Sequence, residues 1–81
     1  MKIKLFWKDD CPKCPEAKEL LNGAPNLELY NLNDLDGLSE GAFYGVMATP
    51  SIIVCDDGGK EITSFRGDVP SRSQMAEWII H

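Results

Sequence analysis

Two cysteines three residues apart, Cys11 and Cys14, stand directly behind an apolar run and directly ahead of a helical period. This junction constrains the fold more than any other feature of the chain. Lys2 to Trp7 alternates, with Ile3 and Leu5 on one face and Phe6 and Trp7 closing the run, which predicts a mostly buried strand. Asp9 and Asp10 are helix-capping residue types, Pro12 suits a first helical position, and Glu16 puts negative charge near the start. A helix is therefore expected from Cys11 to Leu21. Cys14, Ala17, Leu20 and Leu21 share one of its faces, and Asn22-Gly23 with Pro25 ends it. Residues at that spacing are neighbours on a helix, so the two sulfurs can reach disulfide distance. Unpaired amides at a helix N-terminus stabilise negative charge, so a thiol there loses its proton more easily. The thiolate is the nucleophile of disulfide exchange. Cys11, at the tip, is the expected attacker; Cys14, one turn further in, is the expected shielded, resolving thiol.

The rest of the chain reads as alternating short elements. Leu27 to Leu32 predicts a second strand. Leu38 to Tyr44 predicts a helix weakened by Gly37 and Gly41. Ser51 to Cys55 is β-branched and predicts a central strand. Asp56-Asp57-Gly58-Gly59-Lys60 is hairpin chemistry leading into Glu61–Phe65, which Gly67 breaks. Ser71 or Ser73 can cap a last helix carrying Met75, Trp78 and Ile79 on one face. The order is β-α-β-α-β-β-α, an α/β fold in one domain over residues 1–81. Trp7, Phe43, Phe65 and Trp78 are expected in the core, and Cys55 as a small buried filler. Asp9 and Asp10 read as capping and solvated, Lys8 and Lys13 as rim charges, and His81 as a mobile terminal residue.

Composition removes several functions. An 81-residue chain buries only about 60% of the surface its unfolded form exposes, enough for one small core. The net charge is −5; residues 1–20 carry five Lys against four acids, so the acidic excess lies beyond them. No basic patch exists for nucleic acid, and no run of 18 apolar residues exists for a membrane. The opening Met-Lys-Ile-Lys-Leu-Phe-Trp-Lys has no signal-peptide pattern, so a cytoplasmic compartment is expected. Three cysteines do not make a secreted disulfide scaffold. A structural zinc site would need two more ligands, for which only Cys55 and His81 remain.

Taken together, these motifs resemble the thioredoxin superfamily. Phe6-Trp7, three residues and Cys11-Pro-Lys-Cys14 are similar to the strand and dithiol segment of thioredoxins. Tyr44-Gly-Val-Met-Ala-Thr-Pro50-Ser-Ile-Ile-Val is similar to the segment around their cis-proline. Asp57-Gly-Gly-Lys, Phe65-Arg-Gly67 and Ser71-Arg-Ser-Gln-Met-Ala-Glu-Trp-Ile resemble their hairpin and last helix. The short start resembles glutaredoxins and small glutaredoxin-like thioredoxins. The resemblance implies a four-stranded mixed sheet with helices on both faces, and a cis bond at Thr49-Pro50 facing the dithiol. It implies a dithiol–disulfide oxidoreductase that acts in electron transport and cell redox homeostasis and needs no bound cofactor or metal. Cys11 and Cys14 would be catalytic, while Pro12, Lys13, Thr49 and Pro50 would contact substrate. A proline has no N–H of its own, and the Thr49 backbone would pair with an extended substrate segment. The implied partners are protein disulfides and a thioredoxin-reductase-type enzyme, with the chain acting as a monomer.

The chain also departs from both groups. Asp10 replaces the Trp that thioredoxins carry before the first cysteine, and Pro12-Lys13 replaces Gly-Pro, which is closer to glutaredoxins. Leu5 stands where thioredoxins bury an Asp for proton transfer. Glutathione-binding members usually show a Gly-Gly pair before the last helix, where this chain has only Gly67-Asp68-Val69-Pro70. Two other readings stay open: a glutathione-dependent glutaredoxin, and a non-enzymatic module binding metal or a shared iron–sulfur cluster.

Overall fold

The computed structural model describes residues 1–79; His81 lies outside the described residues. Strand β1 (Lys2–Trp7) pairs in parallel with β2 (Leu27–Asn31) on one side and antiparallel with β3 (Ser51–Cys55) on the other. Strand β4 (Glu61–Arg66) adds antiparallel to β3, so the sheet order is β2-β1-β3-β4. Helices α1 (Cys14–Leu21), α2 (Leu35–Phe43) and α3 (Arg72–Ala76) complete the expected order, and the mixed sheet carries helices on both faces.

Strand alternation assigns the two faces. Ile3 and Leu5 of β1 and Ile52 of β3 meet Ala17 and Leu21 of α1 and Met75 of α3. Phe6 and Ile53 point the other way, against Tyr44 just beyond α2, with Tyr30 stacked on Phe6 at 5.2 Å between ring centroids. Covered on both sides, β3 is buried at all five positions, which is why it reads as an unbroken apolar run. An isolated helix of eight residues like α1 is marginal in water. Burial of Leu21 on the sheet contributes about 1.5–3 kcal/mol toward holding it.

Helix α1 begins at Cys14, three residues later than expected. Asp9 and Asp10 are exposed and do not cap it: Lys13 is the N-cap residue, with no side-chain cap, and Pro12 lies in the preceding turn. Pro15, not Pro12, takes the early helical position. Amides in the first turn have no intrahelical partner, so proline gives up nothing there. The first bond of the ladder runs from the Ala17 amide to the Lys13 carbonyl at 3.2 Å. Gly23 follows the helix at φ +86°, as expected.

Helix α2 starts earlier than expected, and its two glycines are requirements of packing. A Cβ at Gly37 would lie 2.0 Å from the Asn31 carbonyl oxygen, and one at Gly41 would lie 2.8 Å from a Leu32 methyl. The helix rests on the end of β2 through these bare positions, so the low helix propensity of glycine is overridden by tertiary contact. With Gly37, Gly41 and Tyr44 facing inward, Phe43 is turned outward. It is 75% exposed, against the expectation of a core position. It packs edge-on against Tyr44 at 4.8 Å between ring centroids. Trp7, Phe65 and Trp78 are partly buried at the margin of the core instead of within it. Ser71 caps α3 in a reciprocal pair with Gln74. The hairpin is pinned by Asp56, whose carboxylate accepts from the Gly58 and Lys60 amides at 2.9 Å each.

One charged residue is buried in β1. Lys4 faces α2, where its ammonium pairs with Glu40, lies 3.7 Å from Glu28, and sits 5.5 and 5.3 Å from the ring centroids of Tyr30 and Tyr44. Burial works against its charge, yet the hydrogen bond to Glu40 and the neighbouring Tyr30, Glu40 and Tyr44 outweigh it and hold its pKa above the ordinary lysine value. Burial and a hydrogen bond to Glu28 push Tyr30 up to about 12. Burial and the neighbouring Cys55 raise Tyr44, whose hydroxyl donates to the Gly59 carbonyl at 2.6 Å.

Candidate active site

The strand directions gather the segments singled out in the sequence at one end of the sheet. β1 and β2 end there, antiparallel β3 begins there, and β4 ends there, with Phe6 paired to Ser51 and Ser51 to Arg66. The chain leaving β1 becomes the turn carrying Cys11, and the chain entering β3 is Thr49-Pro50, whose peptide bond is cis.

Cys11 and Cys14 are joined by a disulfide, with Cα atoms 5.4 Å apart. Their surroundings differ. Cys11 is half-buried in the turn before α1, whereas Cys14, the first residue of the helix, is 1% exposed. The sequence placed Cys11 on the helix itself; it lies just before it, where its carbonyl accepts the Cys14 amide at 3.4 Å. Pro12 and Lys13, between the cysteines, are both exposed. Leu5, on the strand behind, is fully buried.

The cis-proline segment is braced from two sides. The Ser51 hydroxyl donates to the Ala48 carbonyl at 2.7 Å, and the Gly67 amide donates to the Pro50 carbonyl at 2.8 Å. Pro50 is fully buried and Thr49 half-buried. Among the described residues nothing bonds to the backbone amide or carbonyl of Thr49. The sequence reading missed the role of Ser51, although a lone hydroxyl opening an apolar strand was the available signal. It also missed Met47, two residues before Thr49, which is 96% exposed. Met47 lines a cavity of about 250 Å³ with Lys8, Leu32, Leu38, Gly41, Ala42 and Val46.

Cys55, Asp9 and Asp68 bond elsewhere than to the dithiol. Cys55 is a buried free thiol in β3, as a filler residue would be. Asp9 turns toward the loop after β2, accepting from the Asn31 amide group at 3.5 Å. Asp68 bonds the amide of its own neighbour Val69 at 2.8 Å. Among the described residues, no group of three or more His, Cys, Asp or Glu side chains could hold a metal ion, and no helix is long and apolar enough to cross a membrane.

Residues 1–80 match the thioredoxin domain family. The chain belongs to the thioredoxin family. It is 36% identical over 84 residues to a thioredoxin of Methanocaldococcus jannaschii, covering 98% of this chain and 92% of that protein. Among solved structures it resembles thioredoxin 1 of Thermosipho africanus, with a TM-score of 0.69 at 25% identity over 98% of this chain and 90% of the other. It also shares the fold of a thioredoxin from Thermus thermophilus, at a TM-score of 0.65, 18% identity, and 93% and 67% coverage. A cysteine pair at bonding distance on this fold, in this family, makes the chain a thiol–disulfide oxidoreductase.

Proposed function

We propose that the chain is a single-domain, monomeric reductant of protein disulfides in the cytoplasm, recharged by a partner reductase of the thioredoxin-reductase type. The observation that carries this reading is the unequal burial of the bonded sulfurs: Cys11 is partly open and Cys14 is 1% exposed. Only the open one is placed to meet another protein.

In the reduced state the Cys11 thiolate attacks one sulfur of the substrate disulfide. The substrate S–S bond breaks, a mixed disulfide forms on Cys11, and the departing thiolate takes a proton from water. Cys14 then gives up its proton and attacks the Cys11 sulfur. The mixed disulfide breaks, the second substrate thiolate leaves and is protonated, and the Cys11–Cys14 bond forms. Two electrons pass from the dithiol to the substrate. The reductase reverses the change with two electrons and two protons. Thr49, whose backbone is unbonded among the described residues, pairs with the substrate main chain, and Pro50, Pro12 and Lys13 shape the rim. The cavity beside Met47 receives an apolar side chain of the substrate.

Glutathione fits this site poorly as donor. Asp68 is the one acidic residue of the Gly67–Pro70 segment, the paired glycines are missing there, and Pro70 offers no amide for a carboxylate. The test is two-part. Cys14→Ser should accumulate mixed disulfides that Cys11→Ser does not form; the opposite pattern reverses the roles. The native chain should remain oxidised in millimolar glutathione buffer at a cytosolic poise and become reduced with a flavin- or ferredoxin-linked reductase. A saturable glutathione-dependent rate would make the protein a glutaredoxin instead.

A further inference from the structure

Cys14 must become a thiolate to resolve the mixed disulfide; the helix N-terminus favours that, and the packing around the sulfur opposes it. Cys14 is 1% exposed, and the face of α1 that it shares with Ala17 and Leu21 meets Ile3, Leu5, Ile52 and Met75, all of them apolar. Burial of this kind favours the neutral thiol and slows its attack. A nearby positive charge would reverse the penalty, and the helix carries one.

Lys18 lies four residues after Cys14, adjacent to it on the helix surface. Helical side chains lean toward the N-terminus, so Lys18 extends over the turn that bears Cys14. Its ammonium sits 3.1 Å from the centroid of the Trp7 ring, at the end of β1. Trp7 shares the sheet face of Ile3 and Leu5, under α1. The ring holds the cation in place without neutralising it. No carboxylate pairs with Lys18 among the described residues, so its charge is not spent on an ion pair.

We propose that Lys18, clamped over Trp7, is the positioning residue that supplies a fixed positive charge for the resolving thiolate of Cys14. The inference rests on the cysteine roles proposed above. In the resolving step the Cys14 proton leaves to water, the Cys14–Cys11 bond forms, and the Cys11–substrate bond breaks with release of a thiolate. Lys18 gives and takes no proton; it lowers the cost of the anion that attacks.

The two halves of the cycle can be timed with one equivalent of 5,5′-dithiobis(2-nitrobenzoate) per reduced chain. Attack by Cys11 releases the first coloured thiolate and resolution by Cys14 releases the second. Lys18→Met and Lys18→Gln should slow the second phase at least threefold and leave the first within twofold. Lys18→Arg, which keeps the charge over the ring, should restore the second phase to within twofold of the native rate. An unchanged second phase in both neutral variants overturns the proposal. So does a Lys18→Arg variant as slow as Lys18→Met, since that result assigns the effect to packing. A native chain that releases only one equivalent would instead sink the underlying assignment of Cys14 as the resolving thiol.

Discussion

Gly67 donates its amide to the carbonyl of Pro50 at 2.8 Å, which ties the loop after β4 to the cis-proline residue. Gly67 holds φ at +75°, and a Cβ there would lie 3.3 Å from the Ala48 Cβ. One residue thus ends the last strand and braces the cis-proline segment, at the end of the sheet where β1 leads into the dithiol turn.

Gly67→Ala places a side chain in the left-handed region and crowds Ala48. It should cost about 1–2 kcal/mol of stability, read by urea denaturation. Turnover of a protein disulfide should fall at the same time, because the displaced loop carries Pro50 with it. Full activity in a destabilised variant would show that the brace has no functional part.

Gly37→Ala should be far more damaging than Gly41→Ala. The added methyl at position 37 meets the backbone of Asn31 at 2.0 Å, which cannot move without shifting the end of β2. At position 41 it meets the tip of Leu32, a side chain able to turn aside. The expected losses are about 3 kcal/mol or more against about 1 kcal/mol, measured as denaturation midpoints at a common slope.

Alkaline pH should destabilise the chain from above about pH 10. Lys4 has a raised pKa in the folded state, so its contribution is whole below the unfolded value of 10.5 and is lost as pH rises through the folded value. Tyr30, raised from 10.0 to about 12, has the same sign across that interval. Stability should therefore be flat in these groups from pH 7 to 10 and then fall. Glu40→Gln leaves the Lys4 charge short of its nearest partner and should cost about 1–3 kcal/mol at pH 7. A stability that stays level up to pH 12 would contradict the assignment.

Met47→Asp should weaken recognition of protein disulfides and spare small ones. Burying a methionine side chain in a partner is worth about 1.5–3 kcal/mol, so KM for a protein substrate should rise about tenfold or more. The rate with a small aromatic disulfide should stay within twofold, because that reagent needs the two cysteines and no docking surface beside them. Equal loss on both substrates would place Met47 in the chemistry and not in docking.

Local patterns determined much of this protein. Alternation from Lys2 to Trp7, the β-branched run from Ser51 to Cys55, the Asp56–Lys60 turn and the Ser71 cap each specify their element through neighbours a few residues away, and all of them appear where expected. The pairing of Cys11 with Cys14 was legible for the same reason, since three residues of separation place the sulfurs within reach. Tertiary structure decided what depends on distant partners. Gly37 and Gly41 read as weak points of a helix, because the Asn31 and Leu32 atoms that demand them lie across the β2–α2 connection. Phe43 read as core, because only the phase imposed by those glycines turns it outward. Lys4 sits in a strand whose pattern says nothing of Glu40, thirty-six residues away. The contact between Lys18 and Trp7 likewise exists only once α1 has folded back over β1, because a ring and an ammonium eleven positions apart carry no shared period along the chain.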